Sequence, residues 1–139
     1  MRGERGGGAV SAPMAICVLA MIVVIGLALD GVRAAQGLAR ADALAEEAAR
    51  AAGQALDPAS LTGGAAAVDP SAAADEARAY LTAAGARGTV TVVAPDRIRV
   101  EVTIERPTVL LGLIGRTVIT SRGSAEAVLV PVIPQGGAP

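Results

Sequence analysis

The chain has 139 residues, a formal net charge of -1, and 53% hydrophobic against 1% aromatic residues, enough for one small domain plus an apolar segment. Histidine is absent and Cys17 is the lone cysteine, which excludes a histidine-based triad, the usual zinc sets and an internal disulfide. Arginines are balanced by acidic residues and aromatic stacking platforms are missing, so the composition also argues against nucleic-acid binding.

The first element is the uncharged run from Ala9 to Leu29, closed by Asp30. A helix rises about 1.5 Å per residue, so this run spans roughly 30 Å, the thickness of the bilayer hydrocarbon. A secretory signal has an apolar core of only about 7–15 residues. The best cleavage pattern behind the run, "VRA" before Ala35, is poor. A retained transmembrane helix is therefore expected, with a secreted module cut near Ala35 as the competing reading. Ile16 precedes Cys17 where a lipobox needs a small residue, so Cys17 reads as a small apolar member of the helix. Arg2 and Arg5, opposed by Glu4, place residues 1–8 in the cytoplasm and residues 30–139 outside.

Residues 30–57 continue as an alanine-rich stalk helix. At 100° per residue Ala34, Leu38, Ala41, Ala45, Ala48, Ala49, Ala52 and Leu56 share one face, with Arg40, Asp42, Glu46, Glu47 and Arg50 opposite. Alanine admits close helix packing but removes little apolar area. This face either covers the protein's own sheet or packs against neighbouring copies or partner helices. Glu46 and Arg50 are spaced for an i,i+4 pair worth a few tenths of a kcal/mol. Asp57-Pro58 is the expected helix end.

Residues 58–68 read as linker, 69–130 as a small α+β head and 131–139 as an irregular tail. In the head, Asp69 N-caps a second helix with Pro70 at its first position; Ala73, Ala77, Tyr80, Leu81 and Ala84 form the buried stripe and Gly85 stops it. From Gly88 the period becomes two. "TVTVVA" and "RIRVEVTIE" form a hairpin across "APDR", with Ile98, Val100, Val102 and Ile104 inward and Pro107 at the end. Thr117 to Val130 returns as a third strand with a bulge at Gly123. Between them Thr108–Gly115, "TVLLGLIG", either plugs one end of the sheet's core or forms an exposed apolar patch that touches membrane or a partner. The expected fold class is thus α+β: a long N-terminal transmembrane and stalk helix, a second helix and a three-stranded antiparallel sheet, a pilin-like order.

No glycine-rich loop has the strand and helix context of a phosphate cradle, and the serines lack a histidine or lysine base. Carboxylates are scattered over element surfaces. The inventory points to no enzyme, no cofactor, no metal and no small-molecule substrate. Membrane lipid and protein partners remain.

The stretch Gly6 to Gly53 resembles the N-terminal region of TadE/TadG-like Flp (tight adherence) pilus-assembly proteins. "LDGVR" (Leu29 to Arg33) is similar to that family's "VDGGR"-like exit, and "ADALAEEAARAAG" (Ala41 to Gly53) to its alanine-rich helix. The ending "RPTVLLGLIG…TVITSRGSAEAV" is similar to actinobacterial members. The resemblance implies a minor pilin or assembly factor at the cell membrane, partnered by pilus-assembly or secretion machinery or by like subunits. A prepilin-type cut would fall between Gly8 and Ala9. The fifth residue after Gly8 is Pro13 where processed prepilins carry glutamate, which implies the unprocessed, TadG-like style. The alternative is a bitopic envelope protein whose head is a binding module unrelated to pili.

Overall fold

The computed structural model describes residues 8–54 and 69–129. The segment read as a linker, the tail, the residues before Gly8, and Leu56 lie outside the described residues. Helix α1 runs Gly8–Gly53, α2 Pro70–Ala83, and the strands are β1 Arg87–Ala94, β2 Arg97–Pro107 and β3 Val118–Val128, with a 3-10 helix at Leu111–Ile114 before β3. The three strands form one antiparallel sheet in the order β1-β2-β3. This is the α+β arrangement expected. The chain divides into two compact units, one holding residues 8–35 and 106–119, the other 36–54, 69–105 and 120–129.

In the first unit α1 is apolar and exposed. Met14, Leu19, Met21 and Val24 all present their side chains outward, and the mean hydropathy of the most apolar 18-residue window is 2.7. The helix is long and apolar enough to cross a membrane. Pro13 lies inside it and forgoes one intrahelical hydrogen bond near the helix start.

In the second unit the same helix is lined with alanine and buried. Ala41, Ala45, Ala48, Ala49 and Ala52 join Ala73, Ala74, Ala77 and Leu81 of α2, with Val90, Ile98, Val100, Val102 and Leu129, in one core. The largest apolar side chains with no exposed surface are Ile98, Val100 and Val102, alternate residues of the central strand β2. Beta-branched residues on the sheet and the alanine methyl groups of the helices, joined by Leu81 of α2, fill most of the layer between them. At one point the layer closes altogether. Gly123 of β3 lies against the backbone of Ala41 and Asp42, where any Cβ would collide. Gly123 is thus required by a close approach of helix to strand.

The hairpin register pairs Gly88 with Val102, Val90 with Val100 and Val92 with Ile98, then slips between Val92 and Ala94. The slip leaves Val93 as the extra residue and allows the tight Pro95-Asp96 turn. Leu129 closes the far end of β3 by donating its N–H to the Asp96 carbonyl at 2.7 Å. Asp69 caps α2 as expected, its carboxylate accepting the Ser71 N–H at 2.9 Å and the Ser71 hydroxyl at 2.8 Å. Gly85 takes φ 63, the left-handed value that ends the helix.

Three local expectations are corrected. Helix α1 stops at Gly53, ahead of Asp57, where glycine removes helix propensity and Gln54 already bonds back to the Ala51 carbonyl in a turn. Arg50 pairs with Glu47 at i,i+3, 2.7 Å away, in place of the expected i,i+4 pair with Glu46. The buried stripe of α2 includes Ala74, while Tyr80 is half-buried and Ala84 exposed, since Ala84 already belongs to the terminal turn. The Thr108–Gly115 segment belongs to the unit of the apolar helix.

Candidate functional site

The sequence offered one extended face as a site, and the structure divides it. Ala41, Ala45, Ala48, Ala49 and Ala52 are buried in the molecule's own core, so no partner helix can reach them. Ala34 is half-buried in the first unit, and Leu38 is 48% exposed in the second. Gly37 is buried where the helical wheel had favoured Leu38. Gly8, beside the bond a prepilin-type cut would break, is the first residue of α1, and Ala9 lies in its first turn.

The polar centre of the first unit was not legible as such. Asp30, placed by the sequence as the residue that merely closes the apolar run, is 2% exposed. Its Oδ1 accepts the Val109 N–H at 2.6 Å, and its Oδ2 accepts those of Leu110 and Leu111, each at 2.9 Å. One carboxylate thereby satisfies three successive amides at the start of a 3-10 helix, where amides have no partner within the helix. Charge-assisted bonds to a fixed fork of donors make this a rigid junction.

Two neighbours on α1 complete it. Gly26, Asp30 and Arg33 stand at i, i+4 and i+7, one face of the helix. Leu110 seats its side chain on Gly26, where a Cβ would lie 2.9 Å from the leucine Cβ. Arg33 donates from Nη1 to the Pro107 carbonyl at 3.0 Å. The loop base is then sealed by itself. The Thr108 N–H bonds the Thr117 carbonyl at 3.1 Å, the Thr108 hydroxyl bonds the Arg116 carbonyl at 2.6 Å, and Gly115 turns the chain at φ 86. The sequence signal was present as G-x-x-x-D-x-x-R at the end of an apolar run. It is visible only once a loop of free amides is known to face it.

The second unit carries polar groups of another kind. Across the sheet Arg99 bonds Glu126 from Nε at 2.9 Å and Arg87 bonds Glu105 at 2.6 Å. The hydrogen bond and charge of Glu126 hold the Arg99 guanidinium even further into its protonated range. Ser71, through its hydroxyl first and its amide second, holds the Asp69 carboxyl below the usual aspartate range. These are structural partnerships. An open groove of this unit is lined by Glu46, Arg50, Gln54 and Glu126. No cluster of three or more acidic or cysteine side chains able to hold a metal occurs among the described residues.

No family model, curated protein or solved structure matches this chain. What it does must be argued from these two units.

Proposed function

We propose that this protein is a non-enzymatic, single-pass membrane protein, a pilin-like minor subunit or assembly factor of a Flp/Tad-type pilus. The observation that carries the reading is α1 itself: one helix whose uncharged part leaves its large side chains bare while its alanine-rich part is consumed by a small sheet domain. A side-chain surface of Met, Ile, Val and Leu left bare in water would be an aggregation hazard; in a bilayer it is the solvated state. Within "LDGVR", Asp30 and Arg33 hold the loop to the helix.

Orientation follows from Arg2 and Arg5 ahead of the run, with the N-terminus cytoplasmic and the head extracytoplasmic. Contact with like subunits or assembly proteins falls to the lateral surface of the apolar helix, including the shallow groove of Ser11, Ala15, Val18 and Ile22. The alanine face is already occupied. The test is deletion of the gene in its own bacterium together with purification of the tagged protein from membranes. Loss of surface pili and copurification with a secretion ATPase or polytopic platform protein are expected; normal pili and neither partner would overturn the pilus reading.

The second reading, a bitopic envelope protein with a binding head, is favoured by the Glu46–Arg50–Gln54–Glu126 groove. Normal pili in the deletion strain, with head binding to isolated cell wall lost on Arg50→Ala, would support it.

A further inference from the structure

The two most exposed large apolar side chains among the described residues are not in the apolar run. They are Leu113 at 81% and Ile114 at 76%, at the tip of the segment clamped by Asp30. We propose that this tip is a second membrane contact: the Thr108–Gly115 loop is held against the helix so that Leu113 and Ile114 enter the lipid interface beside it. The proposal rests on the membrane-spanning reading of α1.

Three observations assign the occupant as lipid. The first is depth. Gly26 lies three residues inside the end of the uncharged run, about 5 Å at the helical rise, and Leu110 is seated directly on it. A loop touching Gly26 is level with the edge of the hydrocarbon if the run fills the bilayer.

The second is backbone satisfaction. A non-helical segment at that depth cannot leave amides unbonded. Here the Val109, Leu110 and Leu111 amides are taken by Asp30, that of Thr108 by the Thr117 carbonyl, and those of Leu113, Gly115 and Arg116 by carbonyls within the loop. Seven amides of the loop are thus satisfied without water.

The third is charge. In the described part of this unit the only carboxylate is Asp30, already bonded to amides, whereas Arg33, Arg106 and Arg116 are exposed around the loop base. Arginines at that level meet anionic headgroups while apolar tips sit below them.

The chain contains no tryptophan, so single-tryptophan variants report position directly. Full-length Leu113→Trp, with Ile114→Trp as its substitute should the first misfold, is reconstituted into vesicles of phosphatidylcholine and phosphatidylglycerol carrying bromines at set depths. Ile22→Trp marks the span and Thr91→Trp the outer strand β1. The expected result is a blue-shifted Leu113→Trp emission, most of it lost to lipids brominated near the headgroup, with Thr91→Trp unaffected. Ile22→Trp quenched while both tip variants stay unquenched would overturn the loop proposal alone. All three positions unquenched would overturn the spanning reading and this proposal with it. A blue-shifted tip that no brominated lipid quenches would show protein cover, which also overturns it.

Discussion

Two stretches of one helix meet opposite surroundings. Between Met14 and Leu29, α1 carries Met, Ile, Val and Leu and exposes them; between Ala41 and Ala52 it carries alanine and buries it completely or nearly so. A ranking by hydrophobicity alone would reverse the two. The large side chains are bare on a stretch long and apolar enough to cross a membrane, and the small ones are inside because a sheet must come within backbone reach of the helix. Side-chain size here tells which partner a face has, and only the presence of the sheet tells whether that partner is internal.

The comparison is broken most severely by moving large side chains to the wrong half. Ala45→Leu with Ala49→Leu places two isobutyl groups in a filled core and is expected to cost about 3 kcal/mol or more, seen as a large drop in thermal unfolding temperature of the purified protein in detergent. Membrane insertion stays intact. Unchanged unfolding would mean that the helix face is free after all.

Gly123→Ala tests the same closeness with one methyl group. Its Cβ would collide with the Ala41 and Asp42 backbone as well as the Asp42 Oδ1, so the helix must shift outward. A loss of about 2 kcal/mol is expected, measured by denaturant unfolding; a stabilisation, as a glycine in an open strand would give, contradicts the contact.

Asp30→Ala sharpens the contrast from the other side, since it unfastens the first unit and leaves the second alone. Hydrogen exchange is expected to accelerate strongly at Val109, Leu110 and Leu111 while Val100 and Val102 keep their protection. Asp30→Asn, which presents one acceptor oxygen in place of two, should fall between.

A smaller effect is expected on acidification. The folded state lowers the carboxyl pKa of Asp69, so its contribution is present at neutral pH. That contribution is lost as pH falls below the ordinary aspartate value of about 3.9 and through the lower folded value. Ser71→Ala, which removes the strongest cause, should make the unfolding temperature less sensitive over that acidic range by a few degrees. The smallest effect is Ala15→Leu: the same exchange as in the core but on the exposed apolar half, with head stability unchanged within about 0.5 kcal/mol.

Much of this architecture could be read directly. The period-two pattern of "RIRVEVTIE" located β2 and its inward residues Ile98, Val100 and Val102, and Asp69-Pro70 located the start of α2 to the residue. Both are local signals, where the residue and its immediate neighbours decide the outcome. Leu38 and Ala84 failed for the converse reason. Each fits a helical stripe, but a stripe is buried only as far as something lies over it.

The amino-acid sequence by itself determined that one uncharged helix is long enough for a bilayer, that an alanine helix follows, and that an α+β head contains a three-stranded antiparallel sheet. These rest on periodicity and on chain length, which need no partner. The tertiary structure alone decided that the alanine face is spent inside the molecule, that Gly123 must be glycine, and that Asp30 reaches across some eighty positions to bind three amides. Each of those depends on which distant atoms arrive opposite a residue, and no spacing along the chain encodes that arrival.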